Sequence, residues 1–259
     1  MKSVVAIVSA GLVLGGGTAV LLVQNGRRTA QLDFESGSLS GWILKLAAPH
    51  SASVVSHPVR RGNYAVRFEL RDGDDTGDGV RAELKESYHA PLNRDIWNSF
   101  STLVPNDFPM LSRPSVISQW HAEEDAGEEA AARSPVLAHR FDGRLFLVDI
   151  RFSNEKTQKA NDGVPKVLFE QKDFAREVWH DFAYRVRWSY REDGLVQGWL
   201  DGKQIIDYSG PVGYNDDSGP YFKFGIYHHS GGRPIVIYHD EYRRGFSRDV
   251  IAGPQGAWP

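Results

Sequence analysis

The chain has 259 residues, 41% of them hydrophobic and 12% aromatic, with seven Trp, ten Tyr and a formal net charge of −3. That length suffices for one sizeable core, and all-β domains of this size are routinely single. The lack of cysteine excludes disulfides and thiolate metal sites, and the acidic balance argues against a nucleic-acid binder.

Met1-Lys2-Ser3 is a short basic start, Val4 to Val23 carries no charge, and Gln24 to Ala30 is polar. This pattern reads as a secretory signal peptide or an uncleaved N-terminal anchor. Residues 31–259 are then the expected folded unit: a secreted or periplasmic monomer, touching a membrane only through a retained anchor. Residues 1–30 contribute Lys2, Arg27 and Arg28 and no acid. Without them 27 basic residues face 33 acidic ones, a net charge of −6. A basic cleft on that acidic body would still attract a polyanion locally.

After residue 30 the sequence predicts short strands and turns, with no long amphipathic helix. Val66 to Leu70 and Val80 to Glu86 alternate in hydrophobicity. Between them, Asp72 to Gly79 is too polar to pack and reads as a surface loop. Asp142-Gly143 and Asp201-Gly202 each sit between apolar runs and predict hairpin turns. Trp179 to Tyr190 predicts a long strand with Phe182, Tyr184, Val186 and Trp188 on one face. Many short strands with regular turns argue for an all-β, single-domain sandwich, most simply a jelly roll curving one sheet into a concave cleft.

Three segments place polar residues at period-two spacing. Arg81, Glu83 and Lys85 share one face, as do Gln119 and His121, with Trp120 turned to the core. In Tyr221 to His229, Phe222, Phe224 and Ile226 point one way, and Tyr221, Lys223, Gly225, Tyr227 and His229 the other. Each segment alone also reads as an ordinary strand face. Together they suit β-elimination on a uronic-acid polymer. One group must neutralise the carboxylate beside C5, one must take the C5 proton, and one must protonate the leaving O4. Arg, Gln, His, Lys and Tyr supply all three.

Arg81-Ala82-Glu83-Leu84, Gln119-Trp120-His121, Trp199 to Lys203 and Tyr221 to Tyr227 resemble the polysaccharide lyases of the glucuronan lyase and heparin lyase I type. They also echo alginate lyases of the same fold. The resemblance spans roughly residues 32–246. It implies a concanavalin A-like jelly roll with His121 and Tyr227 catalytic, Gln119 and Arg81 neutralising the carboxylate, and Lys223 in the cleft. Lys85, Tyr221 and His229 complete the expected substrate-binding set. The implied product is a 4,5-unsaturated uronate cut from a 1,4-linked acidic polysaccharide, without an organic cofactor. On a glucuronate-type residue Tyr227 would be both base and acid; on the C5 epimer His121 would be the base.

The acidic run Ala122 to Glu129 departs from what a polyanion site would favour. It makes glucuronan a better expectation than heavily sulfated heparin. The resemblance also implies a structural Ca²⁺, for which Glu35 and Asp240, with backbone oxygens near Gly62-Asn63, are the candidate ligands. Two rival readings remain. Glu123-x-Asp125-x-x-Glu128 matches a glycoside hydrolase pattern, whose carboxylates need a rigid strand. A non-catalytic lectin-like module would use the aromatics alone.

Overall fold

The structure, a computed structural model, describes residues 23–24, 27–126, 128, 133–157, 163–227 and 234–252. The proposed signal or anchor, residues 1–22 above all, and His229 lie outside the described residues.

The strands in chain order are β1 (Val23–Gln24), β2 (Arg27–Arg28), β3 (Ala30–Leu32), β4 (Ile43–Leu46), β5 (Ala52–Val55), β6 (Ala65–Leu70), β7 (Arg81–His89), β8 (Asp95–Leu103) and β9 (Ser115–His121). There follow β10 (Pro135–Phe141), β11 (Leu145–Phe152), β12 (Val164–Lys172), β13 (Trp179–Arg187), β14 (Leu195–Leu200), β15 (Lys203–Ser209), β16 (Tyr221–Tyr227) and β17 (Ile235–Gly245). One four-residue helix, α1 (Arg248–Ile251), is the sole helix among the described residues.

Two antiparallel sheets form the jelly-roll sandwich. The seven-stranded sheet has the order β12-β11-β10-β9-β16-β7-β4, and the second runs β15-β14-β13-β8-β17-β6-β5, with β3 also on β17. Strand β17 lies between β8 and β6 and then pairs with β3. A register irregularity between Asp240 and Arg243, with Glu241 at φ 57°, accompanies that change of partner.

Alternation fixes which faces meet. Phe182, Tyr184 and Val186 of β13 and Phe222, Phe224 and Ile226 of β16 are all buried in one cluster. Trp120 joins it, packing on Phe222 at 4.9 Å and on Tyr184 at 5.3 Å between ring centroids. Burying each such side chain contributes about 1.5–3 kcal/mol. The expected strand from Trp179 stops at Arg187, although Trp188 remains in the core.

Both predicted hairpins are present. Asp201 and Gly202 have φ of 50° and 80°, as a two-residue primed turn requires. Asp142 Oδ1 accepts from the amides of Arg144 and Leu145 at 2.8 and 2.7 Å. The Asp72–Gly79 segment is a surface loop as expected, with one buried residue. Asp74 is buried because its carboxylate accepts from the Arg71 amide and meets His50 Nε2, both at 2.8 Å.

Candidate active site

Register brings the three polar segments together on the outer face of the seven-stranded sheet, with β16 between β7 and β9. Tyr227 pairs with Arg81, Gly225 with Glu83, Lys223 with both Lys85 and Gln119, and Tyr221 with both His89 and His121. The result is a ladder of four rungs. Gly225 has φ 130°, and a Cβ there would overlap the Ala82 carbonyl oxygen. Only glycine tolerates both conditions, and β16 shifts register against β9 between Phe224 and Tyr227.

The centre of the ladder is a buried carboxylate, Glu83, only 1% exposed. Gln119 Nε2 donates to Glu83 Oε1. Lys223 Nζ donates to Oε2 at 3.2 Å, and Arg81 Nη1 reaches it at 3.5 Å. Gln119 and Lys223 are themselves buried, so they form a layer beneath the accessible side chains. Burial lowers the Lys223 pKa, aided by Arg81 and Lys85 and opposed by Glu83.

At one end, the Arg81 guanidinium stands 4.8 Å over the Tyr227 ring. The Asp78 carbonyl accepts from Arg81 Nη2, and Gly79 lies beside the Tyr227 ring. The polar loop thus walls this end. At the other end His121 and Tyr221 stack at 5.7 Å with a 26° interplanar angle. His121 Nδ1 donates to the Ala122 carbonyl at 2.6 Å, which leaves Nε2 as the basic nitrogen. Burial, then Lys223, Arg81 and Lys85, hold the imidazole pKa down at about 3 against that carbonyl. His121 is therefore neutral at physiological pH. The Tyr221 hydroxyl lies 3.5 Å from His121 Nδ1, and burial with nearby Glu123, Glu124 and Glu83 raises its pKa. Lys85 Nζ sits 3.6 Å over the Tyr221 ring centroid.

Backbone register sets His121 opposite Tyr221, six residues from Tyr227 along β16, while Arg81 at the Tyr227 ring still acts on the His121 imidazole.

A sequence model of the polysaccharide lyase family matches residues 34–243. The chain belongs to the polysaccharide lyase family. Solved lyases share its fold. Endo-β-1,4-glucuronan lyase from the fungus Trichoderma reesei superposes with a TM-score of 0.70 at 16% identity, covering 85% of this chain and 96% of that one. Alginate lyase vAL-1 from a Chlorella virus gives 0.51 at 12%, with 80% and 93% covered. Alginate lyase AlyC3 gives 0.51 at 13%, with 71% and 75% covered. No curated protein sequence matches the chain.

The two expected calcium ligands are both engaged by backbone amides of the chain. Glu35 accepts from the amides of Asn63 and Tyr64 at 2.9 and 3.0 Å and from Asn63 Nδ2 at 3.1 Å. Asp240 accepts from the amides of Arg60, Arg61 and Glu241. Both carboxylates are thus met by N–H donors where a Ca²⁺ site needs converging oxygens. They clasp the Arg60–Tyr64 turn instead. Among the described residues no group of three or more His, Asp or Glu side chains is placed to hold a metal ion.

The hydrolase pattern lies on irregular chain after β9. Asp125 is tied to Lys156 at 2.6 Å and Glu128 to Arg133 at 2.6 Å. Two residues of the lyase site go beyond the sequence expectation. Glu83 read as a strand-face ion pair, yet it organises the floor. His89 carried no signal at all; it enters because β7 continues past Lys85 to Tyr221.

Proposed function

We propose that this lyase cleaves 1,4-linked uronate polymers by β-elimination, with glucuronan as the preferred substrate, and leaves a 4,5-unsaturated uronate at the new non-reducing end. The observation that carries the reading is Arg81 over the Tyr227 ring at 4.8 Å, with His121 at the far end of the ladder. In a glucuronate ring the C5 hydrogen and O4 leave from the same face. A single hydroxyl can then take the one and protonate the other, and a nearby cation stabilises the phenolate between the two steps.

In this scheme Tyr227 is base and then acid. Arg81 meets the carboxylate as charge spreads from C5, and the buried Gln119 holds Glu83 in place beneath it. Each such donor contributes about 10²–10³ in rate. His121, neutral and stacked on Tyr221, binds a neighbouring sugar together with Lys85, and Lys223 supports this floor from beneath. On the C5 epimer, where hydrogen and O4 leave from opposite faces, the basic Nε2 of His121 is the natural base. The N-terminal sequence pattern supports work outside the cytoplasm.

Paired variants test the scheme. Tyr227→Phe should lose turnover on glucuronan with the melting temperature preserved, while Tyr221→Phe should keep measurable turnover. The reverse ranking would move the acid–base role to the His121 end.

A further inference from the structure

Beyond the reacting centre, one lysine–histidine pair in the site already meets a carboxylate of the chain itself. Glu123 follows His121 by two residues and is exposed, with 48% of its side-chain surface accessible. Its Oε1 lies 3.5 Å from Lys85 Nζ and its Oε2 lies 2.6 Å from His89 Nε2. Lys85 and His89 both pack on Tyr221: the ammonium is 3.6 Å over the ring, and the imidazole is edge-on at 5.5 Å and 77°. The three side chains form a compact seat for one carboxylate beside an aromatic face. Neither contact is tight. The Lys85 contact is at the limit of hydrogen-bond length, and the His89 nitrogen is off the hydrogen-bond axis despite its short distance.

Glu123 is free to leave in a way its neighbours are not. Asp125 is anchored by Lys156 and the Asp217 amide at 2.6 and 3.0 Å, and Glu128 is held by buried Arg133. Among the described residues, the exposed Glu123 side chain makes its ion pairs with side chains of the site.

Resting on the lyase reading above, we propose that Lys85, His89 and Tyr221 form a seat for the carboxylate of a sugar next to the cleaved one. Glu123 fills that seat until the polymer displaces it. A uronate carboxylate carries the same charge and planar geometry as Glu123. A neutral sugar cannot replace the displaced charge, so Glu123 makes the lyase select chains with a carboxylate at this position. The competitor also weakens binding of the correct polymer, which favours product release.

The test is steady-state kinetics on glucuronan with Glu123→Gln and, as a same-charge control one residue away, Glu124→Gln. Removing a partly exposed ionic competitor should lower KM by about two- to tenfold in Glu123→Gln, with the change in KM and not in kcat. Glu124→Gln should move KM less, and the Glu123→Gln gain should vanish in a Lys85→Met background. An unchanged or raised KM overturns the seat, as does an equal gain in both Gln variants, which would report general electrostatics. If the wild type eliminates no uronate polymer, the lyase reading fails by itself. The seat is then read by direct binding of glucuronan and polygalacturonate to wild type and Glu123→Gln: tighter binding upholds it, equal binding overturns it.

Discussion

Replacing Glu83 by Gln keeps the shape of the side chain and removes its charge. Glu83 is 1% exposed and accepts from Lys223, Arg81 and Gln119. Without it, the buried Lys223 ammonium loses its paired carboxylate and still faces Arg81 and Lys85. Breaking a buried ion pair from one side costs about 3–5 kcal/mol. At about 2–4 °C per kcal/mol for a domain of this size, the melting temperature should fall by about 6–20 °C. Turnover should fall by about 10²-fold or more as Arg81 and Gln119 lose their anchor. Calorimetry gives the first number, and ultraviolet absorbance of the unsaturated product gives the second. Adding Lys223→Met should restore part of the stability, because the stranded charge is then gone, but none of the activity. A Glu83→Gln protein melting within about 1 °C of wild type would refute the argument that Glu83 neutralises the floor.

Trp120→Ala should destabilise by about 3–5 kcal/mol, since Trp120 is 2% exposed and packs on Phe222 and Tyr184; an unchanged melting temperature would place it outside the core. Gly225→Ala should cost more than about 1 kcal/mol and impair activity, through the φ of 130° and the overlap with Ala82. Acid should destabilise the fold before ordinary carboxylates titrate. Burial holds His139 and His239 down at about 3 from 6.5, so below pH 6.5 the unfolded chain binds protons that the folded chain does not. The stability they contribute is complete above 6.5 and is lost as pH falls toward 3. Asp240, raised by burial to about 8, acts in the opposite sense, its contribution fading as pH rises through 8. A melting temperature that stays flat between pH 7 and 4 would contradict the histidine argument.

The sandwich was legible because alternation alone separates Phe222, Phe224 and Ile226 from Tyr221, Lys223 and Tyr227, and because Asp-Gly turns mark hairpins. The same period-two rule put Arg81 with Glu83 and Lys85 on one strand face, and Gln119 with His121 on another. What it could not supply was register. Whether His121 faces Tyr221 or Tyr227 depends on bulges along β16, which follow from long-range packing and the strained Gly225. Burial of Glu83 was hidden for the same reason: Arg81 and Lys85 two residues away suggest a solvated ion pair, and only the lateral neighbours Gln119 and Lys223 convert it into a floor. The surroundings of the expected calcium ligands were hidden as well. A sequence shows that Glu35 and Asp240 are carboxylates, but not that amide N–H groups surround them. Asp74 follows the same lesson, since its burial depends on His50 from another loop.

The central claim is elimination at a uronate C5, and the most direct test is ultraviolet absorbance of purified protein incubated with glucuronan, alginate, hyaluronan and heparin. The account predicts a rise from the conjugated 4,5-unsaturated uronate, largest on glucuronan and absent with Tyr227→Phe. New reducing ends without that absorbance would mean hydrolysis, and binding without either product would mean a lectin; each would contradict the account.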